Sequence, residues 1–121
     1  PFAVSFARGY PQYGPGEFTA VDFIARGDAD AAVILASDPG AHFPRKAAER
    51  LREIPTIVID PAESLSASQA TLWLPTGVAG IDTAGSSYRM DGVVLRLRPF
   101  LKAQRPSDEE VLVRLIEEVT R

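Results

Sequence analysis

The sequence contains no cysteine and a single histidine, His42, among its 121 residues. No disulfide, thiolate zinc site, cysteine-held iron–sulfur cluster or cysteine nucleophile can be built from it. A metal centre made of several imidazoles is excluded as well, so a metal held by this chain alone would need oxygen ligands. Positive charge is not in excess: 13 Lys and Arg stand against 16 Asp and Glu, a net charge of -3. Such a balance carries no electrostatic footprint for nucleic acid or an anionic membrane, and neither is expected as a partner. No apolar run is long enough to span a bilayer, and no signal-peptide pattern is present. A soluble, cytoplasmic protein is expected. The sequence opens at Pro1 rather than Met, so a piece of a longer subunit is expected too. Its length suits one domain over 1–121 with a core of its own.

What is present centres on residues 31–60, AAVILASDPGAHFPRKAAERLREIPTIVID. Residues 31–36 are an apolar run of strand length with no polar residue on either face, the pattern of a parallel strand buried on both sides. Ser37, Asp38, Pro39 and Gly40 break the run with turn chemistry. Pro44 suits a first helical turn, and Ala47, Ala48, Leu51 and Ile54 follow at helical spacing, predicting a helix over 44–53 that Pro55 stops. Residues 56–59 are β-branched throughout and predict a second buried strand, closed by Asp60 and Pro61. A strand, a helix and a strand in this spacing form one right-handed βαβ unit. Its strand ends share the edge where open α/β sheets bind ligands.

Around that unit, residues 2–6 suit a short strand and 8–16 an ordered loop. Residues 17–26 suit a helix with Phe18, Val21, Ile24 and Ala25 on one stripe and Gly27 as its stop. Residues 61–69 suit a short helix or turn. A third apolar run over 70–74 ends at Pro75, Thr76 and Gly77, and would bring a third strand end to the same rim. Asp91-Gly92 between two short runs predicts a β-hairpin. Ser107 and Glu110 form a capping-box pattern opening a helix with Val111, Leu112, Leu115, Ile116 and Val119 as its buried stripe. The fold class is therefore α/β. It is a three-layer, Rossmann-like parallel sheet flanked by helices, with a C-terminal β-hairpin and helix.

Asp38 and Asp60 are the first candidates for chemistry, because a carboxylate ending the second strand of such a unit often holds a ribose or base, while Ser37 and Asp38 could instead cap the following helix loosely. The plainer reading is a turn aspartate before proline, with no ligand. The first turn lacks G-x-G-x-x-G, which argues against an ordinary dinucleotide site. His42 could meet a phosphate or merely sit on the surface. Arg89 could bind an anion or pair with Asp91 across the hairpin turn. Trp73 reads as core. No nucleophile–base–orienter set can be assembled, so no catalytic residue is assigned.

Several stretches carry a family resemblance: RGYPQYGPGEFT, LASDPGAHFPRKA, IPTIVIDP, LPTGVAGIDTAG and SYRMDGV. Together they resemble the C-terminal part of the B subunit of formylmethanofuran dehydrogenase, within the molybdopterin oxidoreductase superfamily. The resemblance implies a domain that helps hold a molybdopterin guanine dinucleotide. Its guanosine end would lie near Ala36, Ser37, Asp38 and Pro39, near Asp60, and near Leu74, Pro75 and Thr76. It also implies one-carbon metabolism at the formyl and formate level, with tungsten or molybdenum and an iron–sulfur cluster held elsewhere in such subunits. The partners implied are the remainder of the subunit and other subunits of the complex. The chain departs from the superfamily pattern at Ala70-Thr71, where Ala-Asp is usual. A second reading is therefore a non-redox scaffold subunit of a formyltransferase/hydrolase complex, and a third is a generic nucleotide-binding module.

Overall fold

The computed structural model describes residues 19–121. The expected strand over 2–6, the loop over 8–16 and residues 17 and 18 of the first helix lie outside these. Helix α1 (Ala20–Arg26) opens on Thr19, whose side chain accepts the Asp22 N–H. It closes on Gly27, which is left-handed (φ 83) and returns its N–H to Ile24. A residue with a Cβ would be strained there, which is why the sequence stops the helix with glycine.

Three strands follow: β1 (Ala32–Leu35), β2 (Thr56–Ile59) and β3 (Leu72–Leu74). They form one parallel sheet in the order β1-β2-β3. A short helix α2 (Pro39–His42) and helix α3 (Arg45–Leu51) join β1 to β2, and α4 (Leu65–Gln69) joins β2 to β3. The helix predicted over 44–53 is thus shorter, and an extra helical turn precedes it. Pro44 is the N-cap of α3 and has φ -53, ψ 145, the extended conformation that separates the two.

Because the strand order never reverses, two right-handed crossovers must lie on the same side of the sheet. The core shows it. Ile34, Val58 and Trp73 stand in register across the three strands. Ile24 of α1, Ala47 and Leu51 of α3 and Ala67 of α4 join Ile34 and Val58 in one cluster, and Trp73 packs against it. The other face holds Val33, Leu35, Ile57, Ile59, Leu72 and Leu74. Ile59 is fully buried, but Val33 is 63% exposed and Leu35 and Leu72 are exposed too. Burial on both faces therefore holds for β2 and not for β1, which is an edge strand among the described residues. Among the described residues helices cover one face only.

The hairpin is present as β4 (Gly85–Tyr88) and β5 (Val94–Leu97), paired antiparallel. Gly92 donates to the Arg89 carbonyl and has φ 81. The turn is thus a three-residue connection with a left-handed glycine, not a two-residue Asp-Gly turn. Helix α5 (Asp108–Val119) begins with the predicted capping box. Ser107 N–H donates to Glu110 at 2.7 Å, and Glu110 N–H to Ser107 Oγ at 3.2 Å. Its apolar stripe differs from expectation. Val111, Leu112 and Leu115 are half-buried, while Ile116 and Val119 are exposed. No helix among the described residues is long and apolar enough to cross a membrane.

Candidate functional site

Register places the three strand ends level. Leu35 pairs with Ile59 and Ile59 with Leu74, so Ala36, Asp60 and Pro75 leave the sheet together. Ala36 extends the ladder by one bond, its N–H donating to the Ile59 carbonyl at 2.9 Å. It does so in a left-handed conformation (φ 47), uncommon for a residue with a Cβ. That local twist swings Ser37, Asp38 and Pro39 across the rim. Ser37 is exposed there, Asp38 half-buried and Pro39 buried.

The Asp38 carboxylate turns to α4. One oxygen accepts from Ser66 N–H at 2.9 Å and from the Ser66 hydroxyl at 2.7 Å, and the other from Leu65 N–H at 3.2 Å. The Ser66 hydroxyl in turn accepts the Gly40 N–H at 2.7 Å. The first amides of a helix have no intrahelical acceptor, so a carboxylate from a distant turn serves them here. Desolvation pushes the Asp38 pKa up. The hydrogen bonds from the Ser66 side chain and from the Ser66, Leu65 and Ala41 backbone outweigh it, and the net direction is down. The sequence suggested a loose cap on the helix that follows; the structure makes the cap long-range.

Asp60 closes a local turn, with Oδ1 accepting the Ala62 N–H at 2.8 Å. Its carbonyl accepts Trp73 Nε1–H at 3.0 Å, which ties the end of β2 to β3. Asp60 Oδ2 makes no hydrogen bond among the described residues. Thr71, the departure from the family pattern, accepts the Thr56 N–H at 3.1 Å and so pins the other ends of β2 and β3.

At the third strand end, Leu74 and Pro75 are half-buried and Thr76 is 1% exposed. The Thr76 hydroxyl is buried with no hydrogen-bond partner among the described residues. Gly77 has no room for a side chain: a Cβ would stand 2.4 Å from Thr83 Cγ2 and 2.9 Å from Asp82 Oδ1. The Gly77 N–H donates to the Pro106 carbonyl at 2.9 Å, and Phe100 and Leu101 both donate to Ile81. These bonds bring the stretch after the hairpin up against the rim.

Between them lies an open cavity of about 380 Å³, lined among others by Pro61, Thr76, Asp82, Lys102, Gln104 and Arg105. Arg105 donates to the Pro61 carbonyl at 3.2 Å. Lys102 and Gln104 make no hydrogen bond or ion pair among the described residues. Sequence reasoning missed these three, because they follow the hairpin in a stretch without periodicity or motif. His42 is exposed at the end of α2. Arg89 pairs with Asp91 at 2.6 Å across the exposed hairpin turn. Among the described residues no cluster of three or more His, Asp or Glu could hold a metal ion.

No protein-family model matches the chain. Two curated proteins do, and both are B subunits of tungsten-containing formylmethanofuran dehydrogenase 2. That of Methanocaldococcus jannaschii is 45% identical over 98% of the chain and 28% of the relative, and that of Methanococcus maripaludis 44% over the same shares. The chain thus spans 28% of the length of these relatives. A solved structure, the formyltransferase/hydrolase complex FhcABCD from Methylorubrum extorquens with methylofuran, matches with a TM-score of 0.67. It is 29% identical, over 98% of this chain and 34% of the matched chain.

Proposed function

Since this chain is related in sequence to the B subunit of formylmethanofuran dehydrogenase along nearly its whole length, we propose that it is a cofactor-holding part of such a subunit. The work of that subunit lies in one-carbon metabolism at the formyl and formate level. In this reading residues 1–121 are one domain of the type that holds molybdopterin guanine dinucleotide. It operates in the cytoplasm with the remainder of its subunit and the other subunits of a complex. The observation that carries the reading is the level ending of three parallel strands at a rim where, among the described residues, Asp60 keeps one carboxylate oxygen unengaged. That is the edge on which sheets of this class bind nucleotides.

The rim suits the guanosine end of the cofactor. Asp60 would accept from the guanine N1–H and amino group, a charge-assisted contact. Ala36, Ser37, Asp38 and Pro39 would contribute backbone and shape. The Asp38 carboxylate is committed to α4, so its part is to hold the turn in place. Leu74 and Pro75 would supply the apolar wall. When bound, the metal carried on the pterin would supply the redox chemistry. This chain, having no cysteine, gives it no thiolate.

The test is a calorimetric titration of the full-length protein with guanosine and with GMP. Asp60→Asn places a donor against a donor and is expected to weaken both by about 1–3 kcal/mol. Equal binding by wild type and variant would remove Asp60 from the site. A second reading, a scaffold subunit without redox chemistry, draws on the likeness to the formyltransferase/hydrolase complex. It predicts no affinity for either ligand.

A further inference from the structure

Helix α5 has 12 residues, and none of them is fully buried. A helix of that length is marginal in water on its own, and the packing of an apolar face supplies most of its stability. The described residues cover one side of that face, where Val111, Leu112 and Leu115 are half-buried. Val113, Ile116 and Val119 lie exposed. They follow one another at three-residue steps and so form one ridge along the helix. Charge frames the ridge. Glu109 stands four residues before Val113 and Glu117 four after it, which puts both beside it on the helix surface. A shallow groove of about 350 Å³ lies there, lined by Glu109, Glu110, Val113, Arg114 and Glu117. Glu110 is taken by the capping box. The side chains of Glu109, Arg114 and Glu117 make no hydrogen bond or ion pair among the described residues. Three carboxylates thus face one guanidinium, and two of the three are unengaged.

We propose that this face of α5 is the docking surface for another subunit of the complex, one that offers an apolar strip bordered by lysine or arginine. The ridge of Val113, Ile116 and Val119 would fill the strip, and the partner's cations would meet Glu109 and Glu117. Charge selects this occupant. A carboxylate buried against apolar surface without a cation is costly, so the partner must bring one. A second copy of α5 would bring five acids and one arginine over the same 12 residues, and facing surfaces of like charge disfavour a contact. An apolar centre with a charged rim is also the make-up of a contact between separately folded chains. The open face of the sheet differs, since Val33, Leu35 and Leu72 carry no charge and specify no such partner. The inference rests on the reading that this chain works within a complex, and not on the guanosine rim.

The experiment purifies the full-length protein with the complex it forms in its own cells and follows dissociation on dilution by native mass spectrometry. The variants are Glu109→Lys/Glu117→Lys and Ile116→Ala. All three side chains are exposed and make no hydrogen bond among the described residues, so the subunit keeps its fold. The charge reversal should weaken the hold on one other subunit about a hundredfold, two charged contacts at about tenfold each, and Ile116→Ala about tenfold. Glu109→Gln/Glu117→Gln should make the salt dependence of that dissociation shallower. Carbodiimide treatment of the wild-type complex should join Glu109 or Glu117 to a lysine of that same subunit. A cross-link to a lysine of the chain's own subunit, or of a second copy, would overturn the proposal. So would a charge-reversed variant that holds every subunit as tightly as wild type, or a wild-type protein that purifies with no other subunit. Titration with guanosine reads the rim separately. A wild type that binds no guanosine, yet loses its subunit on charge reversal, would sustain the docking face and overturn only the reading of the rim.

Discussion

Asp38→Ala isolates the long-range cap on α4. The wild-type carboxylate satisfies two backbone donors, Leu65 and Ser66, and one hydroxyl. Ser64 satisfies the next donor, Ala67, at 3.2 Å. Without Asp38, the Leu65 N–H faces solvent and finds water at little cost. The Ser66 amide and hydroxyl do not, because Ser66 is 4% exposed. A lost charge-assisted bond costs about 1.5–3 kcal/mol and a lost N-cap about 0.5–2. These overlap, so the expected loss is about 2–3 kcal/mol, or about 10 °C in Tm for a chain of this size. The pH dependence follows from the downward direction of the Asp38 pKa. A carboxylate held below its ordinary value of 3.8 contributes in full above that value, and the contribution fades as pH falls through the folded-state value. Urea unfolding of wild type and Asp38→Ala should therefore differ most near neutrality and converge in acid. A difference under about 0.5 kcal/mol at neutral pH, or one that persists unchanged in acid, would refute the cap.

Leu51→Ala removes a buried side chain from the junction of α1, α3 and the sheet, and should cost about 2–5 kcal/mol in a denaturant titration. Gly77→Ala drives a Cβ against Thr83 and Asp82. It should cost about 1–3 kcal/mol by the same measurement, and a neutral result would show that the 78–83 turn yields freely.

The parallel sheet and the order of its elements were legible in the sequence because β-branched strands, turn residues and a helical stripe agreed with one another. Gly27, the capping box of Ser107 and the hairpin around Gly92 were legible for the same reason: each is a local signal fixed within a few residues. The destination of Asp38 was not. Its partners stand 27 and 28 positions away, and no local pattern encodes a contact of that span. The cations Lys102 and Arg105 were hidden likewise, since their approach to Pro61 depends on how the hairpin returns the chain to the rim. The stripe of α5 misled because periodicity tells which residues share a face, and not whether anything in the same chain covers it.

The one-sided placement of the crossover helices makes the sheet's free energy open-ended. On the face without helices Ile59 is buried but Val33, Leu35 and Leu72 are exposed, and among the described residues β1 and β3 are both edge strands. Apolar surface of that kind gives up its hydration cost only when something packs on it. Whatever does so binds the folded sheet and not the unfolded chain, so by mass action it adds RT ln(1 + [L]/Kd) to the folding free energy. A separate partner in that role would make the stability of this fold depend on its concentration. Denaturation midpoints measured at different protein or partner concentrations would describe different equilibria.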